Sequence, residues 1–442
     1  MVDGALDYAE VWIWGEPVGV LALDRPTWIY AFEYYKSWVE LGVELAPFTM
    51  PVSTKGSKIF SFPRLNEETF KGVPGCLADS LPDDFGNAVI NAWLARQGRD
   101  PATFSAVERL LYIGARGMGA LEFSPAFQQK NVNVGESLEL ESLLRTAQQV
   151  LDERAGAGGG LVDRSEEALH SIFQVGSSAG GARPKAVVAI NQDRTEIRSG
   201  QVNAPQGFEH YLLKFDGVQE RASGSEIFGD PKGFGLMEYT YYQMATEFGI
   251  TMTHCEILED GPRAHFLTKR FDREGNEKIH VQTLCAMRHA DYKMPGTFSY
   301  EELFMTAREL RLSRDEALQI YRRMVFNVIA RNQDDHTKNF AFLMRLGGGW
   351  ELAPAYDVAY SYKPGSPWVA QHNMSLNGKR SEFERSDLLA VRKQIANFSE
   401  SEANGVINEC LDVVSTWRAK ATQNQVPKRF IDEVEQHLRL DI

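Results

Sequence analysis

The sequence predicts an α+β protein in three parts: an N-terminal mixed unit, a strand-rich middle and a helical C-terminal half. Short apolar runs predict the strands of the middle part, and apolar residues spaced by three and four predict the helices that follow. The glycine-rich stretch at residues 155–160 predicts a flexible joint after the N-terminal part. With 442 residues, the chain is long enough for two to three domains or lobes.

The N-terminal part opens with a predicted β-hairpin. Residues 11–14 and 18–23 supply its two apolar strands, and the turn is expected at residues 15–17. Mixed strand and helix patterns follow to about residue 125. Within them, the segment 70–86 is rich in Gly, Pro and Asp and is expected to form an ordered loop.

The middle part has three strand-like runs, at residues 186–190, 211–215 and 265–271, and a helix is predicted over residues 234–248. Downstream of these, the pattern is helical almost throughout. A strong apolar stripe in residues 317–331 predicts a buried helix, and the last sixty or so residues predict two or three more amphipathic helices.

Charge and cysteine content argue against several classes of protein. There are 47 Lys and Arg against 60 Asp and Glu, and this net charge of −13 argues against a protein that binds nucleic acid on its own. The four cysteines lie far apart, so neither a disulfide framework nor a cysteine zinc site is expected. The N-terminus does not have the pattern of a signal peptide, and no window is apolar enough to span a bilayer. We therefore expect a soluble, cytoplasmic protein without a membrane partner.

The densest cluster of reactive side chains is at residues 332–339, Asn-Gln-Asp-Asp-His-Thr-Lys-Asn. It directly follows the predicted buried helix. An apolar run at residues 340–344, three glycines at 347–349 and a second run at 350–352 then predict a strand, a turn and a strand. Asp357 lies just beyond this hairpin.

This order of groups suits phosphoryl transfer from ATP. An acid must orient and deprotonate the attacking hydroxyl, and oxygen ligands must hold Mg²⁺ against the phosphates. Protein kinases place the base Asp and a metal-binding Asn about five positions apart, and a hairpin leads to a second metal-binding Asp. Asp334 and Asn339 have this separation, and Asp357 follows the hairpin. A solvated polar loop is the alternative interpretation of the cluster.

Residues 176–185 form a Gly-rich stretch before the strand at 186–190, and such glycines let backbone N–H groups approach phosphate oxygens. The stretch is not a Walker A loop, because Ala182 follows Gly181, and a plain Gly-rich turn remains the alternative. Lys214, on the next predicted strand, is a candidate for pairing with phosphates. An outward-facing strand lysine is the alternative for that residue.

Other chemistries have weaker support. His336 follows two acids, but His280 and His289 lie in unrelated contexts and His372 is a lone loop residue. A metal-dependent phosphohydrolase is therefore a distant alternative. No cysteine has the electropositive setting that favours nucleophilic catalysis.

Together and in this order, these pieces resemble the HipA family of toxin serine/threonine kinases. The match covers nearly the whole chain. Residues 15–23 look like the family's opening hairpin, residues 70–86 like its "LPE"-type loop, and residues 110–123 like its Gly-rich turn before a strand. The resemblance implies a protein-kinase-like, two-lobed fold with an added N-terminal mixed α/β unit. The implied parts are this unit at residues 1–150, a strand-rich ATP-binding lobe at 161–271 and a helical catalytic lobe at 272–442.

The resemblance also implies a role for each matching residue. Asp334 takes the place of the catalytic base, and Asn339 and Asp357 take the places of the Mg²⁺ ligands. Ser178 matches the serine that family members phosphorylate on themselves, and Ser177 is adjacent. The residues implied to bind ATP are the phosphate loop Ala179, Gly180, Gly181, Ala182, Arg183, Pro184 and Lys185, the strand lysine Lys214, the adenine-contacting Lys269, Arg270 and Phe271, and His336, Asn339, Tyr356 and Asp357 beside the nucleotide.

Self-phosphorylation in the family withdraws the phosphate loop from the ATP site and switches the kinase off. A phosphate on Ser178 adds a charge of about −1.5 to −2 beside a loop that receives phosphates, which disfavours the nucleotide-bound form. The sequence departs from the family's pattern at Arg183-Pro184, where a Gln-Glu pair occurs, and at Lys269, where an acid occurs.

Family members are the toxins of toxin–antitoxin pairs, and this implies a small helix-turn-helix antitoxin as partner. DNA would be contacted only through that antitoxin, and the net charge of −13 agrees with a basic surface on the partner. The implied substrate is a protein such as an aminoacyl-tRNA synthetase, whose phosphorylation inhibits translation and growth and leads to persistence. Two other functions remain open: a kinase-shaped binding module or co-repressor with little turnover, and a phosphotransferase that acts on a small molecule.

Overall fold

The structure is a computed structural model in which the chain forms two compact units. The first unit comprises Met1–Lys232 and Leu267–Val281, and the second comprises Gly233–Phe266 and Gln282–Ile442. The chain passes from one unit to the other after Lys232, after Phe266 and after Val281, and the last two of these points lie within strands. The structure describes residues 6–56, 58–82, 84–96, 98–126, 138–154, 184–218 and 231–442.

The described residues contain strands and helices throughout. The strands are β1 Tyr8–Ile13, β2 Glu16–Asp24, β3 Ile29–Tyr34, β4 Ile59–Phe60, β5 Leu121–Ser124, β6 Lys185–Asn191, β7 Ile197–Ser199, β8 Phe208–Lys214, β9 Cys255–Asp260, β10 Arg263–Lys269, β11 Arg273–Glu274, β12 Glu277–Lys278, β13 His280–Thr283, β14 Ala341–Met344 and β15 Trp350–Leu352. The α-helices are α1 Lys36–Leu41, α2 Glu67–Phe70, α3 Gly75–Ala78, α4 Asp84–Arg96, α5 Ala106–Ile113, α6 Leu140–Arg154, α7 Phe234–Glu247, α8 Leu284–Arg288, α9 Tyr300–Glu309, α10 Arg314–Ile329, α11 Arg385–Val391, α12 Glu400–Ser415, α13 Trp417–Gln423 and α14 Lys428–His437. Short 3-10 helices lie at Pro101–Thr103, Thr337–Asn339 and Arg392–Gln394.

The first unit contains a five-stranded antiparallel sheet with the order β4-β3-β2-β1-β5. Alternate residues of β1 are buried, as expected for a strand with one face on the core. The opening hairpin is confirmed, but its turn is one residue earlier than predicted. Trp14 and Gly15 have φ values of 51° and 81°, and Ile13 pairs with Glu16. Positive φ at both central residues is the geometry that two-residue hairpin loops require.

The segment 70–86 is not a continuous loop, so this prediction was wrong in part. Helix α3 occupies its middle, and α4 begins at Asp84. Both Cys76 and Leu77 in α3 are buried, and burial of these apolar side chains favours a helical turn despite the local Gly and Pro content. Pro74 immediately precedes the helix, where its missing N–H group costs no helical hydrogen bond.

A second sheet in the first unit has the strand order β7-β6-β8, followed by the last residues of β10. All residues of β6 except Asn191 are buried, which is typical of a central strand. The antiparallel register of β6 and β8 pairs Lys185 with Lys214 at one end and Asn191 with Phe208 at the other. The strands predicted in the middle part of the chain are therefore present.

In the second unit, α10 packs against α9 and α12, and α13 packs against α14 and α7. Helix α10 begins with a capping box in which Ser313 and Glu316 satisfy each other's backbone N–H groups, and its C-terminal half is buried. This is the buried helix that the apolar stripe predicts. Strands β14 and β15 form the predicted hairpin after it. No helix in the described ranges is long and apolar enough to cross a membrane.

Candidate active site

The segment 332–339, here called the 332–339 loop, begins where α10 ends. Arg331 has a φ of 57°, which stops the helix and turns the chain. In the loop, Gln333, Asp335 and Thr337 are buried, whereas the residues between them are partly exposed. Over residues 333–338 this alternation of burial separates an interior row from an open row, and the loop ends in the 3-10 helix Thr337–Asn339.

The open row contains Asp334, His336 and Lys338. The side chain of Asp334 is 43% exposed, and the Nε2 atom of His336 lies 3.7 Å from its Oδ1 atom. Asn339 closes the loop, because its Nδ2 atom donates a hydrogen bond to the backbone oxygen of Asp334 at 2.8 Å. The structure thus brings together Asp334, His336 and Asn339, three of the residues singled out from the sequence.

The aromatic ring of Tyr292 lies beside the open row. Its centroid is 5.2 Å from that of His336 and 4.7 Å from the Nζ atom of Lys338. Within the described residues, the Nδ1 atom of His336 is buried and has no hydrogen-bond partner. Asp334 lies beside the other ring nitrogen, Nε2, at 3.7 Å.

The interior row is held by Asp335, whose side chain is fully buried. Tyr300 OH and His372 Nδ1 both contact its Oδ2 atom, at 2.7 and 2.8 Å, and the backbone N–H of Asn373 donates to its Oδ1 atom at 2.7 Å. Since a carboxylate only accepts hydrogen bonds, His372 Nδ1 carries a proton. His372 lies in a loop, and its partner in this bond is 37 positions away in the chain.

Asp357 follows the β14–β15 hairpin with a φ of 51°, a left-handed conformation that is uncommon for residues other than Gly and Asn. The adjacent Tyr356 donates a hydrogen bond from its hydroxyl to the backbone oxygen of Lys338. This bond ties the segment that carries Asp357 to the 332–339 loop.

Arg323, on α10, is buried near the same segment. Its Nη2 atom donates to the backbone oxygen of Ala353 at 2.6 Å, and its Nε and Nη1 atoms have no hydrogen-bond partner in the part of the chain that the structure describes. Burial lowers the pKa of Arg323 to about 10. The guanidinium therefore remains charged at neutral pH, and its burial is costly.

In the first unit, Lys185 and Lys214 face each other across the β6–β8 pair. Their exposed fractions are 3% and 5%, so Lys214 is not the outward-facing strand lysine that was the alternative. Pro184 precedes Lys185, and its carbonyl accepts a hydrogen bond from the Phe215 N–H at 3.3 Å. Two buried lysine side chains therefore lie at one end of this strand pair.

Lys269 and Arg270 also have partners within the first unit. Lys269 forms an ion pair with Glu209, and both side chains are about 40% exposed. Arg270 is buried, whereas the next residue, Phe271, is half-buried. A cavity of about 250 Å³ is lined by Gln192, Gly207, Phe208, Glu209, His210, Lys269, Arg270, Arg273 and Gly275.

Asp272 is the centre of a buried ion cluster next to this cavity. It accepts two hydrogen bonds from Arg270, at 2.8 and 2.7 Å, one from Arg273 at 2.9 Å and one from the Gly119 N–H at 2.7 Å. Burial alone raises the pKa of Asp272, but the charges of the two arginines outweigh it and hold the pKa well below its ordinary value. Asp272 is therefore a carboxylate at neutral pH.

Ser177, Ser178 and the phosphate-loop residues 179–183 lie outside the described residues, as does the glycine-rich stretch 155–160. Among the described residues, no group of three or more His, Cys, Asp and Glu side chains could hold a metal ion. A kinase-type Mg²⁺ site needs fewer protein ligands, because phosphates and water supply the rest. Since Asn339 uses its amide nitrogen on Asp334, its amide oxygen is left for a cation, and oxygen donors of Asn339 and Asp357 fit Mg²⁺.

Two family profiles match this sequence. The HipA-like C-terminal domain matches residues 177–417, and the HipA N-terminal domain matches residues 9–124. The chain belongs to the HipA family. The C-terminal profile includes Lys214, the whole 332–339 loop and Asp357, and the N-terminal profile includes the sheet formed by β1 to β5.

Among solved structures, a complex described as the Shewanella oneidensis MR-1 toxin–antitoxin system HipA, HipB and its operator DNA has a similar fold. The TM-score is 0.64 at 16% identity, over 97% of this chain and 95% of that chain. The α+β fold class that the sequence predicts is therefore confirmed as the HipA fold. The Helicobacter pylori proinflammatory kinase CtkA matches 60% of this chain and 90% of its own length, with 12% identity and a TM-score of 0.34, and this low likeness supports no inference.

The sequence did not single out Asp335, Tyr300, Asn373 or Arg323 as parts of the site. Each is identified by burial and by hydrogen bonds to residues distant in the chain. No local signal in the sequence distinguishes these residues, since adjacent acids like those at 334 and 335 also occur at 67–68, 83–84 and 301–302.

Proposed function

We propose that this chain is a Mg-ATP-dependent serine/threonine protein kinase that acts as the toxin of a toxin–antitoxin pair. The observation that carries the proposal is the geometry of the 332–339 loop in a member of the HipA family. Asp334 is exposed on the open row, and Asn339 is bonded to its backbone at 2.8 Å. Asp357 follows the hairpin as a metal ligand of a kinase does.

In this proposal, ATP supplies the transferred phosphoryl group and Mg²⁺ neutralises its charge. Asp334 accepts the proton of the substrate hydroxyl, and His336 beside it is placed to orient the reacting groups. Asn339 and Asp357 would hold the metal ion. The carboxylate of Asp334 needs no catalytic hydrogen bond in the free enzyme, because such bonds often form only with substrate.

The first unit would bind the nucleotide. Lys185 and Lys214 lie buried at one end of the β6–β8 pair, and the lysine ammonium group is a common ligand of phosphate. We assign the adenine side to Lys269, Arg270 and Phe271. The phosphate loop at residues 179–183 and self-phosphorylation at Ser178 belong to the proposal through the family resemblance alone.

The partner and substrate follow from the family. A solved HipA is described in complex with HipB and operator DNA, and we propose an antitoxin of helix-turn-helix type for this chain as well. The net charge of −13 agrees with DNA contacts that are made by that partner. The proposed substrate is a protein, possible targets being aminoacyl-tRNA synthetases, whose phosphorylation would inhibit translation.

The first experiment is intact-mass measurement after incubation of the phosphate-free protein with Mg-ATP. We expect the wild type to gain one phosphate and Asp334→Gln to gain none while it still binds ATP. Ser178→Ala should also gain none if Ser178 is the modified residue. The matched control is Asp412→Gln, which removes an exposed carboxylate of the same unit and should leave the transfer unchanged.

Each outcome separates the alternatives. Phosphate gained by Asp334→Gln at the wild-type rate would refute the assignment of the base. A gain lost only in Asp334→Gln would retain the kinase and move the modified serine. If no protein gains phosphate and none is transferred to an added protein, the second candidate is favoured. That candidate is a co-repressor that holds its antitoxin on DNA, and the HipA–HipB–operator complex of the solved relative supports it.

A further inference from the structure

The interior row of the 332–339 loop is attached to other segments of the second unit at three alternate positions. The Nδ2 atom of Asn373 donates to the backbone oxygen of Gln333 at 2.9 Å. Asp335 accepts its three hydrogen bonds, and the hydroxyl of Thr337 donates to the backbone oxygen of Ala290 at 2.6 Å. Among the residues that the structure describes, none forms a comparable attachment with the side chains of Asp334 and His336 on the open row.

Asp335 is the central attachment, and its partners come from separate elements. Tyr300 is the first residue of α9, whereas His372 and Asn373 belong to the segment after β15. The hydroxyl of Tyr300 also accepts a hydrogen bond from Asn327 of α10 at 3.0 Å. A buried carboxylate with both oxygens satisfied makes strong hydrogen bonds, because the low local dielectric strengthens them.

We propose that Asp335 is the positioning residue of the active site, and that the hydroxyl of Tyr300 is needed for this role. The inference rests on the proposed kinase function, in which the neighbouring Asp334 is the base. Asp334 and Asp335 share a peptide bond, so a displacement of the buried side chain moves the exposed one. It also moves the backbone oxygen of Asp334, to which the metal-ligand candidate Asn339 is bonded.

The arrangement separates two tasks that one carboxylate cannot perform. Asp334 must be exposed to reach a substrate hydroxyl, and an exposed side chain on a loop has no fixed place. Asp335 fixes the position of the adjacent backbone, because its own side chain is held in the interior by hydrogen bonds. Misplacement of a catalytic group by about 1 Å can cost on the order of 10²-fold in rate, so small shifts of the loop have large effects.

The test compares two buried tyrosines that each lose only a hydroxyl. Tyr300→Phe removes the donor to Asp335 and keeps the ring, which packs edge-on against Phe340. Tyr321→Phe is the matched control, because Tyr321 is equally buried and its hydroxyl donates to the backbone oxygen of Leu388, outside the loop. Each variant is assayed for kcat and KM for ATP, for its urea midpoint, and for hydrogen exchange of the amides at residues 333–339.

We expect Tyr300→Phe to lower kcat at least about tenfold with little change in KM for ATP, because the loop moves while the nucleotide site remains. Exchange of the loop amides should increase. Asp335→Asn should have the same effects in a stronger form. Tyr321→Phe should shift the urea midpoint to a similar extent and change neither kcat nor loop exchange.

Two results would overturn the inference. One is a Tyr300→Phe protein with wild-type kcat and wild-type loop exchange. The other is an equal loss of kcat in both tyrosine variants, since this would indicate general destabilisation. If the wild type transfers no phosphate, the kinase proposal fails, and loop exchange alone then decides the positioning role: a selective increase in Tyr300→Phe supports it, and no difference from Tyr321→Phe overturns it.

Discussion

Replacement of Asp272 by Ala tests the buried ion cluster of the first unit. The side chain of Asp272 is fully buried and accepts four hydrogen bonds, three of them from Arg270 and Arg273. Asp272→Ala leaves two buried guanidinium groups next to each other without their shared counter-charge. Burial and the neighbouring Arg270 already lower the pKa of Arg273 to about 10, which shows that the positive charge of Arg270 disfavours a positive charge on Arg273.

The expected loss follows from the number and burial of these contacts. Removing one partner of a buried ion pair costs about 3–5 kcal/mol, and here two arginines lose the same partner. With a urea m value of about 2 kcal/mol/M, this corresponds to a midpoint that is lower by about 1.5–2.5 M. Asp272→Asn keeps one acceptor oxygen and should fall between the wild type and Asp272→Ala.

Urea unfolding followed by tryptophan fluorescence measures this loss. Five of the eight tryptophans lie in the first unit, among them Trp14, whose indole N–H donates to the backbone oxygen of Lys278 at 2.9 Å. The control is Arg418→Met, which removes an exposed pair with Glu435 in the second unit and should leave the first unit's transition unchanged. An Asp272→Ala midpoint within about 0.3 M of the wild type would refute the predicted contribution of the cluster to the free energy of unfolding.

Two further predictions concern His289 and Arg323, two basic residues of the second unit. Burial lowers the pKa of His289 to about 4. Between pH 6.5 and 4 the unfolded chain therefore takes up a proton that the folded chain does not. As the pH is lowered through this range, the free energy of unfolding should decrease by at most about 1.4 kcal/mol per pH unit. His289→Asn, which tolerates the φ of 52°, should flatten this decline in urea midpoints measured from pH 7 to 4, and an unchanged slope would contradict the assignment. Arg323 lacks partners for two of its nitrogens among the described residues, so Arg323→Met should leave the free energy of unfolding within about 1 kcal/mol of the wild type or raise it; a loss of about 3 kcal/mol in the same assay would show that the charge is compensated.

Local patterns in the sequence predicted much of the second unit. The stripe of α10 and the hairpin β14–β15 depend on neighbours within a few positions, and both are present as predicted. The separation of Asp334 and Asn339 indicated that both lie on one loop, and in the structure the side chain of Asn339 is bonded to the backbone of Asp334. Such features are encoded by helix and strand periodicity.

Features that depend on distant contacts could not be predicted. Tyr300 and His372 reach Asp335 from 35 and 37 positions away, and no periodicity marks such a pair. Burial of Lys214 could not be distinguished from exposure, since a strand lysine has the same local sequence in either case. The turn at Trp14 was missed because a tryptophan with positive φ is unusual, and strand pairing decides its conformation.

The contacts of Gly119 have a consequence for how the chain can be divided into fragments. The Gly119 N–H donates to Asp272, and the carbonyls of Gly117 and Gly119 accept hydrogen bonds from Arg273. A fragment that begins after the N-terminal profile would keep the three charged residues and lose these backbone partners. The boundary between the two family profiles is therefore not a boundary at which the chain can be cut. The smallest fragment that can be expected to fold around Asp272 includes residues from both profiles.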